Sequence, residues 1–234
     1  MPIICNRKSK KEGTCMKKAI CLCLAILMIV CACVGCDNEE QKETEPQVIK
    51  TFELKDEKIT AENVSPYEGK YLEYGDVETV SGICAMKFTN TGDQTIQSAQ
   101  LVFSDGTQEL SFQFEMLPAG QSVLVAEQNQ LSAAAEELNF VDSNIAYLEA
   151  GLEKADCVKV TDNSDGTVKI ENVTDEMLPL VRVFFRPADA NGNPIGGPCK
   201  SVMVDGIEAG AAVETAAEGW DKTCVVVTVL IINE

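Results

Sequence analysis

Histidine is missing from all 234 residues, and tryptophan occurs once. Without an imidazole, Ser-His-Asp and Cys-His nucleophiles and His-ligated metal centres are excluded. Basic residues are scarce: 19 Lys and Arg stand against 37 Asp and Glu, a formal charge of -18. Phosphate contacts need clustered Lys and Arg, so nucleic acid is not an expected partner. The chain has no G-x-S-x-G elbow, no phosphate-cradling Gly loop and no long segment of helical periodicity after its first apolar run. What it does have is 45% hydrophobic residues, enough for a core. Its length allows one or two domains.

The scarce basic residues are concentrated at the start, where Arg7, Lys8, Lys10, Lys11, Lys17 and Lys18 face the single acid Glu12. An apolar run, Ala19–Gly35, follows and closes on Cys36 and the polar stretch DNEEQKETEP. Basic, apolar, small and then polar is the order of an export signal, and the run is at the short limit for a spanning helix of about 20 residues. Met16-Lys17-Lys18 would serve as a second start, so both Met1 and Met16 stand as candidates. Cys33-Val34-Gly35-Cys36 resembles the lipobox of bacterial lipoproteins, with Cys33 in place of the usual Leu. The resemblance implies a diacylglyceryl group on the Cys36 thiol, cleavage just before it, and a membrane partner held through the lipid. Two acyl chains anchor firmly where one is marginal.

Seven of the eleven cysteines lie at or before position 36, inside this segment. The remaining four, Cys84, Cys157, Cys199 and Cys224, include no C-x-x-C pair, so no zinc or dithiol redox site is expected. Disulfides and free buried thiols both remain open for them. Residues 37–50 then read as a self-repelling acidic linker. Removing residues 1–35 leaves 13 basic and 36 acidic residues, a charge of -23.

From Thr51 the texture becomes short alternating apolar runs broken by Gly, Asn, Asp and Pro. Lys87–Phe103 and Lys169–Phe185 align without a gap at an offset of 82, matching Asn90 to Asn172, Asp93 to Asp175, Leu101 to Val183 and Phe103 to Phe185. Further on the offset is 90, matching Phe112 and Phe114 to Val202 and Val204, and Leu117-Pro118-Ala119-Gly120 to Ile207-Glu208-Ala209-Gly210. Matches on every second residue are the period of a strand with one buried face. The expectation is an all-β chain of two tandem antiparallel β-sandwich domains, 51–152 and 153–234, after a signal and lipid-anchor segment at 1–36. Each unit reads as a meander of about six or seven strands. Val225–Ile232, apolar on both faces, should be central or covered by the neighbouring domain. Gln130–Leu138 is the one helix-like stretch after the signal.

The N-T-G-D turn, the V-x-F strand after it and the L-P-A-G turn resemble the small Ig-like sandwich domains of bacterial surface lipoproteins, the FxLYD-like type being the nearest. That resemblance implies an extracellular module, generally without an assigned activity. Asp162–Gly166 and Asp189–Asn193 fail the ligand spacing of a calcium loop and read as hairpin turns, so no metal and no cofactor are expected. An enzyme would have to work through carboxylates, Ser, Lys or Tyr alone, and no catalytic residue is assigned. The two copies differ at Tyr67–Thr79, an extra loop carrying Tyr67, Tyr71 and Tyr74, and at the extension Pro187–Pro198, whose Gly192–Pro198 stretch reads as a rigid hairpin tip. Trp220 sits in another polar loop. Aromatics on loops offer flat amphipathic contact surface, so these four side chains are the candidate ligand contacts. The expected function is a lipid-anchored binding or spacer module on the outer face of the bacterial membrane, its partner an envelope protein or polysaccharide. The alternative is an accessory subunit of an envelope transport or wall-assembly complex.

Overall fold

The computed structural model describes residues 50–73, 76–133, 138–163 and 165–232. The signal, Cys36 and nearly all of the acidic linker therefore lie outside the described residues. All paired strands among the described residues are antiparallel, and the one helical element described is a short 3-10 turn, Ala155–Cys157. No helix among the described residues is long and apolar enough to cross a membrane.

The first half is built from β1 (Lys50–Leu54), β2 (Ile59–Asn63), β5 (Ala85–Asn90) and β8 (Ser122–Ala126), paired in the order β1-β2-β5-β8. A second sheet, in the order β7-β6-β9, combines β6 (Ile96–Ser104), β7 (Glu109–Leu117) and β9 (Asn139–Tyr147). Their inward residues meet in one core: Ile59, Ala61, Met86, Phe88, Val123 and Val125 from one layer face Ile96, Leu101, Phe103, Phe112 and Phe114 from the other. Phe88, Phe103, Phe112 and Phe114 are all but fully buried, and Phe88 stacks on Phe114 at 5.1 Å. Burying a side chain of this size contributes about 2–3 kcal/mol.

The second half repeats the plan with β10 (Val158–Asp162), β11 (Thr167–Asn172) and β14 (Ala212–Ala216) in one sheet, order β10-β11-β14. The facing sheet, order β13-β12-β15, holds β12 (Leu178–Pro187), β13 (Lys200–Ile207) and β15 (Cys224–Ile232). Val168, Ile170, Val181, Val183, Phe185, Val202 and Val204 make its core. Pairing follows the repeat. Phe88↔Val123 and Leu101↔Phe112 in the first half become Ile170↔Val213 and Val183↔Val202 in the second. In the first half the chain crosses between layers three times, from β5 to β6, from β7 to β8 and from β8 to β9, so the expected meander is corrected to interleaved sheets.

The repeated Asn explains why the turns match. Asn90 and Asn172 are both completely buried. Asn90 Nδ2 donates to the carbonyls of Gln94 (2.8 Å) and Leu117 (2.9 Å), and its Oδ1 accepts from the Gly92 N–H at 2.9 Å. Asn172 Nδ2 donates to the carbonyls of Glu176 (2.7 Å) and Ile207 (2.9 Å), and its Oδ1 accepts from the Thr174 N–H at 2.9 Å. Each amide closes the turn after its own strand and ties it to the end of a strand in the opposite sheet, β7 or β13. A side chain carrying both donor and acceptor is required for that.

One further expectation changes. Tyr67–Thr79 is not a loop: it belongs to a hairpin of β3 (Tyr67–Glu73) and β4 (Asp76–Ile83), inserted between β2 and β5. Gln130–Leu138 shows no helix in the part described, residues 134–137 lying outside it. β15, expected to be central or covered, is an edge strand that is covered. Its Leu230 packs with Met116 and Leu148 of the first half, and Phe184 joins them.

Candidate functional site

Besides the apolar cluster of Met116, Leu148, Phe184 and Leu230, the two halves meet through three sets of polar contacts. Pro194–Gly197, in the loop between β12 and β13, lies against the open edges of β7 and β8. The Leu124 N–H donates to the Pro194 carbonyl (3.0 Å), the Gly196 N–H to the Leu124 carbonyl (2.9 Å) and the Glu115 N–H to the Gly197 carbonyl (3.0 Å). Gly197 passes so close to β7 that a Cβ there would stand 1.9 Å from the Gln113 carbonyl oxygen. The rigid hairpin tip expected from its prolines is thus a docked strap, because the edge strands offer unpaired backbone groups that it satisfies.

Arg186 supplies the second contact. Its guanidinium is 1% exposed and donates to the carbonyls of Glu115 and Gly196, the latter at 2.8 Å, and to Cys199 Sγ at 2.7 Å. Its Nε is the one buried donor of that group without a partner. Burial pushes the Cys199 thiol up, while the adjacent guanidinium pulls it down. The third contact is Glu153, whose two carboxylate oxygens accept from the hydroxyls of Thr95 and Thr228, both at 2.5 Å. The connecting segment also pairs with β15, the Ile231 N–H donating to the Leu152 carbonyl at 3.1 Å.

Beside the strap a cleft of about 510 Å³ opens along the edge of the first sandwich. Tyr67 and Lys70 of the hairpin form one wall, and Gly196–Cys199 of the strap forms another. Its floor includes the outward face of β7-β6-β9, where Gln113, Gln100 and Asn144 stand side by side in register across the three strands. Cross-strand partners share a face, so the three carboxamides form one row. Gln100 Nε2 donates to Ser111 Oγ at 3.1 Å, which orients its amide. The hairpin is held over β8 by Val64, Tyr67, Val80 and Ile83, which pack on Leu124 and Ala126.

Of the aromatic residues named from sequence, Tyr67 and Tyr71 are strand residues, and Trp220 lies in the loop between β14 and β15, as expected. Tyr67 is a strand residue, 7% exposed, whose hydroxyl donates to the Lys70 carbonyl at 2.8 Å; it edges the cleft from within the hairpin's apolar cluster. Tyr71 pairs with Glu78 in the same hairpin, and Tyr74 lies outside the described residues. Trp220 is half-buried against Phe185, ring centroids 4.9 Å apart, and its Nε1–H donates to Asp162 Oδ1 at 3.1 Å. The structure brings Tyr67 to the cleft and does not bring Trp220 there. Among the described residues Cys84, Cys157, Cys199 and Cys224 are all free thiols. The Asp165 and Asp189 stretches are hairpin turns closed on their own carboxylates.

The amide row escaped sequence reasoning. Gln100, Gln113 and Asn144 look like ordinary outward positions, and only the strand register aligns them. Comparison with known proteins adds nothing to this geometry: no family model, no curated protein and no solved structure matches the chain.

Proposed function

We propose that the protein is a lipid-anchored, extracytoplasmic binding module: two Ig-like, FxLYD-like sandwich domains, 51–152 and 153–234, carried on Cys36 and an acidic linker. The anchor reading rests on Cys33-Val34-Gly35-Cys36 closing an apolar run behind a basic segment. The binding reading rests on one observation. The two places where the copies differ, the β3–β4 hairpin and the strap at 187–198, converge on a single cleft. Segments free of the repeated core positions build the only walls that the repeat itself does not supply. The floor carries carboxamides, which neither titrate nor act as nucleophiles and so suit recognition, while Lys70, Glu115 and Cys199 stand on the walls. The strap, Arg186 and Glu153 make the pair of sandwiches stiff, as a spacer holding that cleft away from the bilayer requires.

Metabolic labelling with a clickable fatty acid tests the anchor. Wild type should be labelled and Cys36→Ser should not; undiminished labelling of the variant refutes Cys36 as the lipidated residue.

A further inference from the structure

We infer that the cleft binds a neutral glycan carrying acetamido groups, lying across the Gln113–Gln100–Asn144 row; this rests on the binding-module reading above. A carboxamide presents a donor and an acceptor in one plane. That pair matches an acetamido group or two neighbouring hydroxyls, and the row repeats it three times across adjacent strands. Neighbouring strands lie about 4.8 Å apart, close to the length of one sugar ring, so successive amides reach successive groups of one chain. Apolar surface from Leu124 and Ala126 at the β8 end receives methyl groups. The volume of about 510 Å³ is within the range that holds a short oligosaccharide.

Charge selects against the alternatives. The cleft wall offers one ammonium, Lys70, and one carboxylate, Glu115. The exported chain carries -23, from 13 basic against 36 acidic residues after position 35. A polyanion is repelled from such a surface. An extended peptide would need the edges of β7 and β8, and the strap already occupies them at Glu115 and Leu124.

The test is calorimetric titration of the full chain in detergent with tetra-N-acetylchitotetraose, alongside a neutral Ser/Ala hexapeptide and tetragalacturonate. Heat from the chitotetraose alone is expected. Gln100→Ala and Asn144→Ala should each weaken it about five- to tenfold, the loss of one or two hydrogen bonds. Asn144→Ala should keep the wild-type melting temperature, since that side chain is exposed, whereas Gln100→Ala also loses its bond to Ser111 and should melt a few degrees lower. Hydrogen exchange should slow at Gln113, Gln100 and Asn144 when the sugar is present. No heat from chitotetraose, heat undiminished in both variants, or heat from the peptide or tetragalacturonate instead overturns the assignment. Fatty-acid labelling at Cys36 is unaffected by any of these results, so loss of the anchor and loss of the glycan site are read separately.

Discussion

Replacing either buried asparagine tests the internal repeat as energy rather than as pattern. Asn90→Ala removes three hydrogen bonds of 2.8–2.9 Å and leaves the Leu117 carbonyl without its side-chain partner inside the sandwich. At about 1 kcal/mol per bond the loss is about 3 kcal/mol. For a chain of this size that lowers the melting temperature by about 6–12 °C. Asn172→Ala removes the matching set and should cost the same or slightly more, because the Thr174 hydroxyl also donates to Oδ1 at 2.7 Å. Asn90→Asp is a sharper probe. It keeps Oδ1 but puts a second oxygen where Nδ2 faced two carbonyls. Burial and those carbonyls push such a carboxyl above its ordinary value near ~3.9. The folded state then holds its proton more tightly than the unfolded state. The extra destabilisation is therefore absent below about pH 4 and grows as pH rises through the elevated value. Urea unfolding from pH 3.5 to 8, followed by far-ultraviolet circular dichroism, reads both effects. A loss below about 1 kcal/mol for either alanine variant, or no pH dependence peculiar to the aspartate, would refute the assigned role.

Gly197→Ala should undock the strap, because the new Cβ meets a backbone carbonyl at 1.9 Å and neither strand can shift cheaply. A cost of about 2–3 kcal/mol is expected, with faster hydrogen exchange at Leu124, Gly196 and Glu115; unchanged exchange at those amides refutes it. Burial pushes the Cys84 thiol up to about 11, so a thiol-selective reagent at pH 8 should label it only after unfolding. The same shift makes stability fall as pH rises from the unfolded thiol's range near ~8.5 toward that value, and Cys84→Ala should reduce this alkaline slope, the Cys199 and Cys224 thiols, also raised by burial, keeping the rest. At the acid end, Thr107 and Gln108 hold Asp105 at about 2, while Lys58, Thr167 and Thr223 hold Asp93, Asp165 and Asp221 below the ordinary range. Stability should be complete above about pH 4 and decline toward pH 2; Asp105→Asn should flatten that decline, and an identical acid profile in the variant would count against it.

The core was legible because its signal is local. Phe88, Leu101 and Phe112 alternate with polar residues, and the pleat turns that alternation into one buried face. Asn90 and Asn172 were legible as matching landmarks, although their burial was not. A turn Asn and a buried Asn look identical until the carbonyls of Leu117 and Ile207 arrive from another sheet. The hairpin was misread as a loop because its tip resembles any polar insertion, while its apolar contacts, Val80 and Tyr67 on Leu124, are made only in three dimensions. Arg186 lies at the end of β12 and drew no expectation from the sequence. It is buried because carbonyls from β7 and the strap surround it, a set of acceptors that no neighbouring residue foretells.

The strap's position follows from a hazard common to all open sandwiches. Edge strands expose unpaired N–H and C=O groups that invite pairing with other chains. In the first half β7 and β8 are both edges, and the strap satisfies Leu124 and Glu115 there. In the second half the matching edges are β13 and β14, and the first half's counterpart of the strap is the short turn Asp105–Gln108. β14 meets the hazard differently: Ala212, Glu214 and Ala216 are exposed, with a charge at the strand's centre, and the strand is only five residues long. One extension therefore serves two ends. It covers the edge that would otherwise pair, and in crossing that edge it raises the wall of the cleft. A cleft wall gained this way leaves the repeated core untouched, which is why the cleft lies where the two halves cease to match.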